Sequence, residues 1–172
     1  MAVVGLSGSP AGEASRSRAL LERMLEALAA RGAATHIVDL AALPADGLLG
    51  RIPSADVRAA VEAVAGARIV VASTPVYRGT YSGLLKVFFD LLPQDALVGK
   101  VGVPIATGAG PGHLLAIDHG LRPLFASVGA VVVGLGIYGT DQQFRDGVPD
   151  AALMDRVEQC AAQAWMLAGV AR

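Results

Sequence analysis

Short runs of β-branched and apolar residues alternate along the chain with longer segments whose apolar residues have helical spacing. In Ser17–Arg31, Leu21, Leu25 and Leu28 fall on one helical face while Arg18 and Glu22 fall on the other. The pattern predicts strands at Ala2–Leu6, Ala34–Asp39, Arg68–Ala72, Lys100–Ala106 and Ala130–Tyr138. It predicts helices at Ser17–Arg31, Ser54–Ala65, Ser82–Leu92, Gly112–Val128 and Asp150–Ala168. Such alternation predicts an α/β fold with a doubly wound parallel sheet, which binds ligands at the carboxyl ends of its strands.

The composition favours a small-molecule partner over a charged macromolecule. The 14 Lys and Arg residues nearly balance the 15 Asp and Glu residues, so no broad field is present to attract nucleic acid or an anionic membrane. Apolar residues make up 53% of the chain, which favours extra buried surface in a homo-dimer or homo-tetramer. No apolar run reaches the roughly 20 residues that cross a bilayer. The single cysteine and the histidines have no metal-ligand spacing. We therefore expect one cytoplasmic domain, residues 1–172, with an organic cofactor and no metal.

The loop after the first predicted strand has the composition of a phosphate site. Its sequence GSPAGEASRS supplies Gly8 for a tight turn, several hydroxyls and the Arg16 guanidinium directly before a helix. These groups can hold a phosphate, although a solvated turn with a serine N-cap has the same composition. Gly5, Gly8 and Gly12 lack the spacing G-x-G-x-x-G, and no G-x-x-x-x-G-K-[ST] occurs. Both absences argue against a dinucleotide fold and a nucleotide triphosphatase.

The loops after the third and fourth predicted strands have features that suit a planar ring. The segment TPVYRGTYSGLLK offers the flat faces of Tyr77 and Tyr81, and its glycines allow close backbone approach. The segment ATGAGPGH leaves peptide N–H groups available for the carbonyls of a heterocycle. Because the carboxyl ends of parallel strands meet at one edge of a sheet, we expect all three loops to converge on one ligand.

These segments resemble those of one family, the NADPH-dependent FMN reductases, especially the members that feed reduced flavin to alkanesulfonate and related sulfur-scavenging monooxygenases. The similar segments are GSP with the following SRS, TPVYRGTYSGLLKVFFDLLP, GKVGVPIATG and HLLAIDHGLRP. The resemblance implies a flavodoxin-like five-stranded sheet of order 2-1-3-4-5 that uses FMN and NAD(P)H. Two positions depart from the family pattern: Ala11, where many relatives have Arg, and Ala109, where the relatives have a glycine.

The resemblance also implies roles for particular residues. The FMN phosphate would be held by Ser9, Ser15, Arg16 and Ser17. The flavin would be lined by Pro75, Val76, Tyr77 and Arg78, with Ser82 and Gly83 on the helix that follows, and its other edge would be bordered by Thr107, Gly108 and Ala109. No catalytic side chain is expected, because the hydride passes between two cofactors.

A proline inside the helix predicted at Gly112–Val128 indicates an irregularity. Pro123 cannot donate to the carbonyl of His119, four residues earlier, and its ring collides with that carbonyl. The conflict is relieved either by a kink that leaves His119 on the surface or by a π-bulge. The resemblance favours a π-bulge near His119 at a subunit interface, for which Leu114, Leu115, Leu121, Leu124 and Phe125 supply apolar surface.

Three further functions remain open from the sequence alone. A reductase of quinones, azo compounds or metal ions would share the fold but keep FMN as a prosthetic group. A flavodoxin electron carrier would not oxidise NAD(P)H, and its docking surface is expected to be strongly acidic, unlike this nearly neutral chain. The third alternative is a hydrolase that acts on phosphate esters.

Overall fold

The computed structural model describes residues 1–170 and shows a parallel sheet with helices on both faces. The long strands are β1 (Ala2–Ser7), β2 (Ala34–Asp39), β3 (Ile69–Pro75) and β4 (Val101–Gly108), followed by the short strands β5 (Val131–Val132) and β6 (Ile137–Thr140). The helices are α1 (Arg16–Ala29), α2 (Ala45–Leu48), α3 (Ala55–Gly66), α4 (Gly83–Phe89), α5 (Arg122–Ala126) and α6 (Ala151–Val170). The strand order is β2-β1-β3-β4-β5, with β6 also paired to β4, which confirms the predicted doubly wound topology. The short α2 and a hairpin of β7 (Phe144–Arg145) and β8 (Val148–Pro149) are additions.

The sheet separates two apolar cores, because successive residues of a strand point to opposite faces. Val3 and Val71 pack with α1 and α6, whereas their neighbours Val4 and Val70 pack with α3, α4 and α5. Burial on both faces explains why the strands are almost continuously apolar. Because both faces of the sheet are buried, the polar loops lie at its edge, after the carboxyl ends of β1, β3 and β4.

The fifth strand differs from the prediction, since the segment Ala130–Tyr138 is interrupted at 133–136. The N–H of Val133 donates to the Gly102 carbonyl. Residues two apart on a strand direct their backbone groups to the same side, so the nitrogen of Pro104 faces the same strand and has no hydrogen to donate. The interruption lies opposite Pro104, between the β4 pairings with β5 and with β6.

Side chains satisfy the backbone groups that this interruption removes from the sheet. Arg122 donates to the carbonyls of Val133 and Gly134, the latter over 2.7 Å. Gln163 accepts from the Leu135 N–H at 2.8 Å, and two residues of α6, Arg156 and Cys160, donate to the carbonyls of Gly136 and Leu135. The break is therefore a hydrogen-bonded part of the fold.

The predicted helix Gly112–Val128 is wrong as one continuous element. The structure has a 3₁₀ turn at Pro111–His113, a π-helix at Ile117–Leu121 with the exposed His119 at its centre, and then α5. The N–H of Arg122 donates to the Ile117 carbonyl, five residues back, as a π-helix requires. Pro123 lies in the first turn of α5, where a missing N–H costs little.

The apolar residues around the π-helix divide into two groups. Leu121, Leu124 and Phe125 are buried in the core of this chain, so the expectation that they add to an interface is corrected. Leu114 and Leu115, just before the π-helix, are 54% and 59% exposed. Of the five apolar residues predicted for the interface, Leu114 and Leu115 are the two that a second subunit can contact.

Candidate functional site

A cleft of about 350 Å³ lies at the carboxyl ends of β1, β3 and β4, within the roughly 300–1,000 Å³ that is usual for small-molecule sites. Nine of the predicted site residues line it: Ser9, Ser15, Arg16, Pro75, Val76, Tyr77, Thr107, Gly108 and Ala109. Ala11, Ala14 and Asp141 also line it. A larger hollow of about 570 Å³ is formed by the 142–150 segment around the β7–β8 hairpin. Because none of the three sheet-edge loops contributes to that hollow, the cleft is the candidate site.

One end of the cleft, formed by Ser9, Ser15 and Arg16, lies at the start of α1. It has the composition predicted for a phosphate site, and we call it the phosphate-type end. Ser15 is the N-cap of α1, yet its side chain makes no hydrogen bond to the helix amides, whereas Ser54 and Ser82 cap α3 and α4 in the usual way. Within residues 1–170, the N–H groups of the first turn of α1 therefore have no side-chain acceptor at the N-cap. Ser9, also buried, accepts from the Ala11 N–H at 3.2 Å. This end can receive an anion at the positive end of the helix.

Two predicted serines support the site without lining it. Ser17 is fully buried, and its hydroxyl lies 2.9 Å from that of Ser15. Ser82 caps α4 by accepting from the Leu85 N–H, and its hydroxyl donates to the Gly8 carbonyl. Ser82 thus links the loop after β1 to the start of α4, which follows the loop after β3.

Gly8 occupies a position that only glycine fits. Its N–H donates to the Ser73 carbonyl at 2.8 Å, and an added Cβ would lie 2.9 Å from the Leu85 Cβ and 3.0 Å from the Ser73 carbonyl oxygen. The absent side chain therefore lets the phosphate-type loop approach β3 and α4.

The ring-type end is formed by the loops after β3 and β4, which hydrogen bonds fix to each other. The Val76 N–H donates to the Thr107 carbonyl at 2.7 Å. Tyr77 and Thr80 exchange backbone hydrogen bonds around a tight turn, in which Arg78 and Gly79 have φ of 53° and 89°. The turn directs the backbone so that Tyr77, 48% exposed, lines the cleft. The exposed Arg78, and Gly83 at the start of α4, lie outside the lining.

Tyr138 of β6 holds the loop after β4 from the other side. Its hydroxyl donates to the Gly110 carbonyl at 2.7 Å, and burial raises the pKa of this hydroxyl, with the charge of Asp141 adding to the shift. The hydroxyl therefore stays protonated as a donor. The local sequence around Tyr138 does not indicate this role, because its hydrogen-bond partner lies 28 positions away.

Asp39, at the end of β2, has a structural role. Its carboxylate accepts from the Ala41 N–H at 3.1 Å, which caps a 3₁₀ turn, and from Arg18 at 2.7 Å. Within residues 1–170, no group of three or more His, Cys, Asp or Glu residues is arranged to hold a metal ion. Among the helices of the same residues, none is long and apolar enough to cross a membrane.

Comparison with known proteins identifies the family. Residues 1–145 match the family described as NADPH-dependent FMN reductase. The chain belongs to this family. As an FMN reductase it is an oxidoreductase that uses FMN and NAD(P)H.

Two bacterial relatives illustrate the similarity. The FMN reductase (NADPH) of Pseudomonas putida KT2440 is 38% identical, over 92% of this chain and 82% of its own. The NADH-dependent FMN reductase SfnE of Pseudomonas putida is also 38% identical, over 97% of this chain and 92% of its own.

Solved structures agree with both fold and family. The apo form of the NADH:FMN oxidoreductase EMOB superposes with a TM-score of 0.84 at 34% identity, covering 99% of this chain and 90% of that one. A flavodoxin from the Archaea, at 10% identity and a TM-score of 0.70, shares the fold.

The cleft of this reductase fits FMN by the chemistry of its two ends. The uncapped start of α1 and the buried hydroxyls of Ser9 and Ser15 suit a phosphate. Val76, Tyr77, Thr107 and Gly108, from the loops after β3 and β4, form another part of the lining. Arg16 is the one cation of the lining within the part of the chain that the structure describes, and its Nη1 lies 3.0 Å from the Asp141 carboxylate.

Proposed function

We propose that this reductase takes up free FMN, reduces it with NAD(P)H and releases the reduced flavin to a flavin-dependent monooxygenase. The observation that carries the proposal is the cleft itself, in which an uncapped helix start and a pair of backbone-rich loops meet at one sheet edge. The sequence resemblance to reductases that supply monooxygenases adds the partner class. In this proposal FMN is therefore a substrate that binds and is released, and not a prosthetic group.

The proposed roles of the side chains are binding and orientation. FMN supplies the hydride-accepting ring when it is bound, and NAD(P)H supplies the hydride. The first turn of α1 with Ser9, Ser15 and Arg16 would hold the phosphate. Pro75, Val76 and Tyr77 would lie along one edge of the ring, and the 107–109 backbone along the other. Backbone N–H groups there would stabilise negative charge on the reduced flavin.

Release of FMN is favoured because the phosphate-type end has little positive side-chain charge. Ala11 stands where many members of the resembled family have Arg, so among the described residues Arg16 alone provides positive side-chain charge in the lining. Arg16 is about half exposed and already paired with Asp141. Charge-assisted hydrogen bonds are the strong contacts of a phosphate site, and a site with one shared cation suits exchange better than permanent retention.

We propose in addition that the enzyme works in the cytoplasm as a homo-dimer or homo-tetramer assembled around the π-helix. Leu114 and Leu115 are more than half exposed beside it, and a second subunit would cover them. Sedimentation of the wild type and of Leu115→Ser would test this. Assembly that is unchanged by the substitution would contradict an interface at this place.

The activity test uses purified protein freed of flavin by gel filtration. NAD(P)H oxidation should depend on added FMN, and FMN should not remain bound through a second filtration in flavin-free buffer. Arg16→Ala should weaken FMN about tenfold or more and riboflavin little, since charge-assisted bonds contribute ~1.5–3 kcal/mol. Absence of FMN binding would refute the reductase cleft. Stoichiometric FMN retention would refute the exchange.

A further inference from the structure

We infer that Asp141 competes with the FMN phosphate for Arg16 and thereby sets how quickly FMN exchanges, an inference that rests on the proposed function. Arg16 begins α1 and Asp141 follows β6, so the two are 125 positions apart in the chain. Both nevertheless line the cleft, and Arg16 Nη1 donates to Asp141 Oδ1 at 3.0 Å. Among residues 1–170, the only cation in the lining of the proposed phosphate site therefore has a carboxylate as its partner.

The position of Asp141 is fixed by the turn that carries it. The side chain of Gln143 closes the 3₁₀ turn Asp141–Gln143, because its Oε1 accepts from the Thr140 N–H at 3.1 Å and from the Thr140 hydroxyl at 3.3 Å. Thr140 is also the last residue of β6, which pairs with β4 through Gly108. The carboxylate is thus held at the rim of the cleft by the sheet.

Arg16 has the longer side chain of the two and has donors to spare. A guanidinium has five N–H groups, and one hydrogen bond of the Arg16 side chain is present among the described residues. The two side chains are 48% and 46% exposed, so water screens their attraction and the pair opens at little cost. A phosphate with a charge of about −1.5 to −2 can therefore draw Arg16 away from Asp141.

Asp141 is expected to lower FMN affinity, which agrees with competition for Arg16 and not with a role in supporting Arg16. A carboxylate that merely oriented Arg16 would still place a negative charge in the same cleft as the phosphate, and like charges repel. It would also cancel much of the positive charge that Arg16 offers to the ligand. Both effects lower FMN affinity, and neither acts on a flavin without phosphate.

The test compares Asp141→Asn with Glu26→Gln in FMN and riboflavin binding. Glu26 pairs with Arg23 on the exposed side of α1, at 2.7 Å and 61% exposure, so its substitution changes the net charge equally without touching the cleft. Flavin fluorescence would give the dissociation constants, and stopped-flow mixing the release rate. Asp141→Asn should tighten FMN about three- to tenfold and slow its release by a similar factor, because it removes a pair worth up to about fivefold together with a repulsion.

Further comparisons separate the outcomes. Riboflavin affinity should change less than twofold, high salt should shrink the gain for FMN, and the gain should fall when Arg16→Ala is already present. FMN binding that weakens in Asp141→Asn, or tightens no more than in Glu26→Gln, would overturn the inference while leaving the proposed function intact. Failure of the wild type to bind either flavin would overturn both.

Discussion

Replacing Gly108 by alanine should damage the cleft through one identifiable contact. A Cβ at position 108 would lie 2.4 Å from the Tyr138 hydroxyl oxygen, and 3.3 Å from the Cζ that carries it. Ordinary contacts begin at 3.4 Å, so the hydroxyl must move by about 1 Å. The movement would break its hydrogen bond to the Gly110 carbonyl.

The magnitude follows from the two effects together. Overpacking costs about 1–3 kcal/mol, and loss of a neutral hydrogen bond about 0.5–1.5 kcal/mol, so we expect Gly108→Ala to lower the free energy of unfolding by about 2–4 kcal/mol. Tyr138→Phe alone removes the bond and should cost about 1 kcal/mol. The double variant lacks the clashing oxygen and should cost only about 1–2 kcal/mol.

Urea denaturation of the four proteins measures these values, and FMN titration shows whether the lining of the cleft follows. Gly110→Ala is the matched control, since a Cβ there has nothing within 4 Å and should change the unfolding free energy by less than about 0.5 kcal/mol. Costs of Gly108→Ala and Tyr138→Phe that simply add in the double variant would contradict a clash between the added Cβ and the Tyr138 hydroxyl.

Three further predictions concern regions outside the cleft. Gly120→Ala in the π-helix should lower the free energy of unfolding by about 1–3 kcal/mol, because its Cβ would lie 2.5 Å from Thr80 Oγ1. Urea denaturation should show that Thr80→Ala partly rescues this loss. Costs of the two substitutions that add fully would contradict the contact. Burial raises the pKa of Cys160 from 9.0 to about 12, so the native thiol should resist a disulfide reagent at about pH 8 and react at least about a thousandfold faster in urea; rapid native reaction would show that the thiol is accessible. The stability from keeping this thiol protonated is present below pH 9.0 and is lost as the pH rises toward about 12. Deleting His119 should restore regular helix before Pro123, shift the oligomer equilibrium and tighten FMN retention. Sedimentation with and without FMN tests this. Unchanged assembly and unchanged FMN retention would show that the π-helix has no role in either.

The sequence by itself determined the order of the elements and the three loops of the cleft. Periodicity placed β2 at Ala34–Asp39 as observed and located the other long strands to within a few residues. These features are local, because each strand or helix must bury its own apolar face whatever its neighbours are. Parallel strands then bring their carboxyl-end loops together, and nine predicted residues meet in one cleft.

Tertiary structure decided how those residues are used. Ser15 and Ser82 look alike in sequence, yet Ser82 caps its helix and Ser15 does not. The break in the fifth strand is sustained by Arg122 and by α6, and Arg16 acquires Asp141 as its partner across 125 positions. Such pairings depend on which chain segments the topology brings within about 3 Å for a hydrogen bond, and no local pattern of apolar and polar residues carries that information.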